Sequence, residues 1–194
     1  MNYSPLARPR KALDFQYYSI RNISCPEDTE NNRKVYAGHA SIESVLLLPT
    51  DENVRDYLLD AEGRKRQKPT QVHLAMRDTL ANNPLDFSVL NGGLVIVARS
   101  IEIDEKGKMA RLVQPSIING SQTQGILKDF IEGKKERKEE IPPIHIKFEL
   151  IETDDEDLIA ETSISRNFQN DVMTLSIAGR LHQLDELEEY LNAK

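Results

Sequence analysis

The sequence has little of what exported or membrane proteins usually display. It contains one cysteine in 194 residues, so no intrachain disulfide can form and a reducing compartment fits best. No apolar run approaches the roughly 20 residues that span a bilayer, and the first residues lack the apolar core of a signal peptide. We therefore expect a cytoplasmic protein with no membrane contact.

The common catalytic and cofactor motifs are also missing. There is no GxxxxGK[ST], no GxGxxG and no nucleophile elbow, and the four histidines are scattered without HxH or HExxH spacing. The acidic run at 154–157 can in principle hold Mg²⁺, but charge that complements the dipole of a predicted helix is the simpler interpretation. The residues assign no metal site and leave catalysis undecided.

The 25 lysines and arginines are outnumbered by 32 aspartates and glutamates. A net charge of -7 and a pI near 5.2 argue against a protein that coats nucleic acid through bulk charge, so any such contact must be local. The densest positive segment is 61–69, for which a solvated loop is favoured over a phosphate-contacting patch. A hydrophobic fraction of 39% and a charged fraction of 29% are typical of one globular domain.

Apolar patterning predicts an α/β (α+β) domain over residues 1–194, with a mixed sheet flanked by helices and a loose N-terminal arm at 1–11. Strands are predicted at Leu13–Ile23, Leu85–Arg99, Met109–Val113, Val113–Ile118 and Ile144–Ile151, and helices at Asp51–Asp60, from Thr70, after Asn119, from a Thr153 capping box to Ile164 and at Thr174–Asn192. Val35–Leu48 fits a strand or a short helix. The last helix lacks a stop signal, which favours a longer natural protein.

The stretch Ile117–Ile126 is the best candidate for a binding site, because an apolar run stops there at a glycine and a polar row begins a helix. Asn119 or Ser121 can cap that helix, and Gly120 leaves room for close approach to the backbone. The free N–H groups of a first helical turn attract phosphate or another anion. An ordinary, well-capped strand-to-helix turn is the competing interpretation.

Four segments in this order resemble the AIPR family, named for abortive infection phage resistance in prokaryotes. They are Asn53-Val54-Arg55-Asp56-Tyr57-Leu58, Phe87 with Asn91-Gly92-Gly93-Leu94, Ile118-Asn119-Gly120-Ser121-Gln122-Thr123, and Arg166-Asn167-Phe168-Gln169-Asn170. The similarity spans roughly Ile42 to Tyr190. The chain departs from the family's usual Asn-Asn-Gly at Asn91-Gly92-Gly93, and it has Arg166 where the family often has threonine.

A more distant similarity links the chain to the ParB/sulfiredoxin-like superfamily and to the DGQHR proteins of DNA sulfur modification systems. There a Gly-polar segment opens a helix beside the sheet and contacts nucleotide phosphates, with an Asn-x-Gln element nearby. Asn119-Gly120-Ser121-Gln122 and Asn167-Phe168-Gln169 are similar in type, although their order differs from that of ParB. The similarity implies a ParB/sulfiredoxin-like fold and a nucleotide or nucleic-acid ligand.

The predicted site combines amides, small residues and two arginines, a set suited to phosphate and base edges and lacking a general base. Its members are Asn53, Arg55, Asn91, Gly93, Asn119, Gly120, Ser121, Gln122, Thr123, Arg166, Asn167 and Gln169. We expect an anti-phage defence component that binds nucleic acid or a nucleotide, the latter with Mg²⁺ as the candidate cofactor. The alternatives are a nuclease or nucleotide hydrolase, and a non-catalytic module that binds another protein of a defence or DNA-modification operon.

Overall fold

The computed structural model describes residues 11–50 and 71–166. Its strands are β1 (Ala12–Gln16), β2 (Ser19–Asn22), β3 (Lys34–Ser41), β4 (Leu94–Ala98), β5 (Ser100–Asp104), β6 (Met109–Val113), β7 (Ser116–Asn119) and β8 (His145–Glu152). Its helices are α1 (Pro26–Glu30), α2 (Ile42–Leu46), α3 (Gln71–Asn82), α4 (Phe87–Leu90), α5 (Ser121–Glu136) and α6 (156–166), and a 3-10 turn at Pro84–Asp86 precedes α4. The predicted arm and the predicted elements at 51–70 and 174–192 lie outside the described residues.

The strands form two sheets. A three-stranded antiparallel sheet has the order β1-β6-β5, and a five-stranded sheet has the order β2-β3-β8-β4-β7. In the larger sheet β4 and β8 are parallel, whereas the other neighbours are antiparallel, so the sheet is mixed. The predicted mixed sheet flanked by helices is confirmed, and the second sheet is an addition that the pattern did not indicate.

One predicted strand is divided between the sheets. The chain bends at Tyr17 and Tyr18, so the predicted strand Leu13–Ile23 becomes β1 in one sheet and β2 in the other. The predicted strands Met109–Val113 and Val113–Ile118 are confirmed as β6 and β7, which lie in different sheets. Between them Gln114 has a φ of 50° and precedes Pro115, which lacks a backbone N–H, so β6 ends before β7 begins. Aromatic and β-branched residues continue across the bend at Tyr17 and Tyr18, which is why the strand content of the sequence did not reveal it.

The predicted strand Leu85–Arg99 is wrong in its first half, where the chain forms the 3-10 turn and α4. Phe87 is 1% exposed and anchors α4, whereas Val89 is 77% exposed, so the apolar alternation there does not mark a buried strand face. Leu94–Ala98 is the strand, as its continuous apolar run predicts for a strand with neighbours on both sides. The ambiguous Val35–Leu48 divides into β3 and α2, with Ser41 capping α2.

Each face of the larger sheet packs on a separate apolar cluster. On one face the Phe15 ring of β1 meets the Phe148 ring of β8 edge-on, with centroids 5.3 Å apart, and this contact joins the two sheets. On the other face Ile159 of α6 packs with Val97, Ile118 and Ile151. The larger sheet therefore has apolar contacts on both faces.

The edge strand β7 makes contacts outside the sheet ladder. The N–H of Ile117 donates to the carbonyl of Pro49 (2.8 Å), and the Ser163 hydroxyl of α6 donates to the carbonyl of Ile118 (3.3 Å). The helix α6 is capped by Asp155, the residue before its first turn, whose carboxylate accepts from the N–H of Leu158. The predicted Thr153 capping box is therefore wrong. Within the described ranges, the helices are too short or too polar to pass through a lipid bilayer.

Candidate functional site

Two glycines in the left-handed region meet at one end of the larger sheet. Gly93 (φ 89°) leads into β4 and Gly120 (φ 97°) follows β7, and these antiparallel strands align Val95 with Asn119. A Cβ on Gly120 would lie 2.6 Å from Leu94 Cδ2 and 3.0 Å from the Gly93 carbonyl oxygen. The structure therefore brings the Asn91–Gly93 loop against the start of α5.

The close approach to Gly120 comes from within the chain. The sequence suggested that Gly120 makes room for a ligand, but Leu94 and the Gly93 carbonyl occupy that side of it. Around a Cβ placed on Gly92, by contrast, nothing lies within 4 Å, and Gly92 is exposed. Space for a ligand beside this junction is therefore at Gly92 and along the first turn of α5.

The Asn91 side chain holds this loop against two helices. Its Oδ1 accepts from the N–H of Gly93 (2.9 Å), and its Nδ2 is 3.4 Å from Thr123 Oγ1 and 3.1 Å from Met76 Sδ. Thr123 is buried, and its hydroxyl also points to Met76 Sδ. These contacts position Gly93 and fix the loop on α5, so the amide of Asn91 already serves the fold.

Glycine occupies the cap position at the start of α5. Gly120 is the N-cap residue and, within 11–50 and 71–166, no side-chain cap hydrogen bond is made there, so the predicted capping by Asn119 or Ser121 is wrong. The first helical bond runs from the Gln124 N–H to the Gly120 carbonyl (3.1 Å). In a 16-residue helix, the N–H groups of Ser121 and Gln122 then carry the positive end of the dipole. Both residues are half-buried, at the border of protein and solvent.

Arg166 lies two strands away from the start of α5 and is paired there. Its Nη2 is 2.8 Å from Glu149 Oε1, and Glu149 is aligned with Val95, which is aligned in turn with Asn119. Of the two arginines in the predicted site, Arg166 is thus paired with an acidic side chain. Four predicted site residues lie outside the described residues, namely Asn53, Arg55, Asn167 and Gln169.

Gln124 has a structural role that the sequence analysis missed. Its Nε2 donates to the carbonyls of Val45 (2.9 Å) and Leu48 (2.8 Å), which ties α5 to the end of α2. A cleft of about 340 Å³ lies beside this contact, lined by Leu46, Leu48, Gln124, Gly125, Lys128, Ile131, Glu132 and Lys135. The available signal in the sequence was the position of Gln124, which lies at helical spacing with the apolar Leu127 and Ile131.

Replacing Gln124 by alanine should lower the free energy of unfolding by about 1–2 kcal/mol, because two carbonyl groups lose their donor. Gln122→Ala is the matched control: the same residue type lies two positions earlier in the same helix, and the change should cost less than about 0.5 kcal/mol. Urea denaturation of both variants measures the difference. Equal stability of the two variants would show that water replaces the Gln124 amide at no cost.

Two observations on the described residues bear on catalysis. Between 11 and 50 and between 71 and 166, no three His, Cys, Asp or Glu side chains are grouped so as to hold a metal ion. The pKa of the Cys25 thiol is raised above its usual value, chiefly by its hydrogen bond to the Asp28 carboxylate (Sγ to Oδ2, 3.0 Å). A raised pKa keeps the thiol protonated and makes it a poor nucleophile.

Comparison with known proteins gives one match. A family model described as "AIPR protein" matches residues 51–194, which include Asn91, the whole of α5 and Arg166. No curated protein and no solved structure matches the chain. The similarity to ParB-like proteins therefore stays a prediction.

Proposed function

This chain belongs to the AIPR family, named for abortive infection phage resistance, and we propose that it serves phage defence by binding a phosphate group of nucleic acid or of a nucleotide. The phosphate binds at the first turn of α5, beside Gly92. Ser121 and Gln122 supply backbone N–H groups and side-chain donors. This function accounts for both the family and the chemistry of the junction.

The observation that carries the proposal is the uncapped start of α5. Helix starts usually have a side chain that accepts from the free N–H groups, and glycine at the cap position costs only a few tenths of a kcal/mol relative to such a side chain. Here Gly120 occupies the cap position, and the fixed loop Asn91–Gly93 borders it with the open position Gly92. A phosphate oxygen is the acceptor that such a turn favours, since the helix dipole adds to the hydrogen bonds.

Two further functions are compatible with the family. A nuclease or nucleotide hydrolase needs a group that activates water, such as a general base or a metal ion. A module that binds a partner protein of a defence operon needs neither a metal nor a nucleotide. Of the three, phosphate binding has the most support from the described side chains, because they include an uncapped helix start and no grouping of metal ligands.

Replacing Ser121 by glutamate should abolish phosphate binding and leave the fold intact. A carboxylate in the first turn stabilises the helix dipole by about 0.3–1 kcal/mol, yet it competes with a bound anion for the same N–H groups. Isothermal titration with ATP, GTP and short DNA and RNA, with and without Mg²⁺, should show binding by the original chain and none by Ser121→Glu. Gln71→Glu, which adds the same charge at an exposed position of α3, is the matched control and should bind normally.

The alternatives predict different results in the same experiment. Gln122→Ala should bind about tenfold or more weakly, since one hydrogen bond to a charged ligand is worth about 1.5–3 kcal/mol. Consumption of the ligand only when Mg²⁺ is present would favour the hydrolase. Equal binding by the Ser121→Glu and Gln71→Glu variants would contradict the proposal, because the first turn of α5 would then play no part.

A further inference from the structure

A second surface lies at the same end of the larger sheet as the α5 junction. Tyr18, at the bend between β1 and β2, has 62% of its surface exposed. Its ring centroid is 4.7 Å from that of His145, and the Lys108 ammonium group lies 5.1 Å from its centroid. An exposed aromatic side chain, a second ring and a cation are thus in contact, far apart in sequence.

The strand register extends this surface toward the α5 junction. His145 and Lys147 are two residues apart on β8, so they share one face of the sheet. Lys147 is aligned with His39 of β3, and His39 with Ser19 of β2, whose hydroxyl is 3.3 Å from His39 Nδ1. On the other side of β8, a Cβ on Gly93 would lie 2.9 Å from Lys147 Cβ. One polar strip therefore connects Ser19, His39 and Lys147 with the Gly93 loop.

The strip has the dimensions and the charge for a strand of nucleic acid. Four interstrand spacings separate β2 from β7, which amounts to about 19 Å. Glu149, on the same face of β8 as Lys147, pairs with Arg166, and Asp104 accepts from the N–H groups of Lys106 and Gly107. In a chain with a net charge of -7, Lys147 and Lys108 make this strip a local site for an anionic partner.

We propose that this strip, from the start of α5 to Tyr18, binds single-stranded nucleic acid. The inference rests on the proposed function and specifies its ligand: a phosphate binds at α5, and a base several nucleotides away stacks on Tyr18 or His145. Stacking requires an unpaired base, which excludes a duplex along the strip. When a base covers the Tyr18 ring, the Lys108 ammonium group moves from the ring to a neighbouring phosphate.

The test compares ligands of two lengths by fluorescence anisotropy. The probes are a labelled dinucleotide and oligonucleotides of about ten nucleotides, as DNA, as RNA and as a blunt duplex. The chain should bind the single-stranded oligonucleotides more tightly than the dinucleotide or the duplex. Tyr18→Ala should weaken binding of the long single strand by at least about fivefold and leave dinucleotide binding unchanged, whereas Tyr18→Phe should behave as the original chain.

Lys108→Gln provides an independent measurement. It should lower the slope of log affinity against log salt concentration by about 0.7, the value for one phosphate contact with a single strand, while Lys106→Gln in the same turn should leave the slope unchanged. Equal affinity of the original chain and Tyr18→Ala for the long strand overturns the inference, as does equal affinity for the duplex. Competition by polyglutamate at equal charge concentration also overturns it, because the strip would then be a general anion site.

The two proposals fail separately. If Ser121→Glu leaves all binding intact but Tyr18→Ala weakens the long strand, the α5 phosphate site is wrong, and with it the extent of the strip. If Ser121→Glu abolishes binding of the dinucleotide and Tyr18→Ala has no effect on any probe, the phosphate site stands and the strip is wrong. For each variant, a melting temperature equal to that of the original chain shows that the fold is retained.

Discussion

Replacing Gly120 by alanine will lower the free energy of unfolding by about 2–4 kcal/mol. Part of this is conformational, because a residue with a Cβ at φ 97° is strained by roughly 1–2 kcal/mol. The rest is steric, because the new Cβ meets Leu94 Cδ2 at 2.6 Å and the Gly93 carbonyl oxygen at 3.0 Å. Leu94 is buried, so its Cδ2 has to turn within a packed core, and the Gly93 carbonyl has to shift as well.

Gly125→Ala is the matched control for this prediction. Gly125 lies in the same helix, with nothing within 4 Å of an added Cβ and with an ordinary helical backbone. Alanine there should raise stability by about 0.5–1 kcal/mol through helix propensity. Chemical denaturation of the two variants should therefore give changes of opposite sign, and a neutral Gly120→Ala would show that β4 and α5 are not in contact as described.

Replacing Phe148 by alanine will cost about 3–5 kcal/mol, the range for deleting a buried aromatic side chain. The ring is 3% exposed, meets Phe15 edge-on and lies against Gly38, where an added Cβ would be 2.7 Å from Cζ. It lies in the core between the two sheets, so its loss leaves a cavity where β1 packs on β8. Thermal or urea unfolding measures the effect, with the exposed Val89→Ala as a control that should change stability little.

A double-mutant cycle isolates the contribution of the ring pair. Phe15→Ala and Phe148→Ala together should cost less than the sum of the two single changes, by about 0.5–1.5 kcal/mol for an aromatic pair in contact. Strict additivity would mean that the two rings stabilise their own sheets without joining them. In that case the three-stranded sheet should also unfold separately from the larger one.

Local sequence patterns predicted most single strands and helices, and they failed where the predicted strand Leu13–Ile23 passes from one sheet to the other. The strand Ile144–Ile151 agrees with β8 within one residue at each end, because one of its faces is apolar and the other polar. The helix after Asn119 was also predicted, and its apolar residues Ile126, Leu127 and Ile131 are buried. The bend at Tyr17 and Tyr18 keeps the aromatic and β-branched content of a strand while it changes the strand's partners, so this content does not reveal it.

The geometry of the candidate site depends on contacts between distant segments. The proximity of Gly93 and Gly120 follows from the antiparallel pairing of β4 with β7, which two intervening strands separate in sequence. The pairing of Arg166 with Glu149 likewise depends on how α6 crosses the sheet. Sequence reasoning found unusual residue types at these positions, but it could not say that Asn91 would be engaged by Thr123 and Met76.

The contacts made by β7 outside its sheet bear on self-association. An edge strand with free N–H and carbonyl groups is a template for pairing with another copy, which leads to aggregation. In β7 the N–H of Ile117 is bonded to Pro49, the carbonyl of Ile118 accepts from Ser163, and the preceding Pro115 has no N–H to offer. The opposite edge, β2, is four residues long and ends with the exposed Arg21 and Asn22. Both edges of the larger sheet thus resist growth by strand addition.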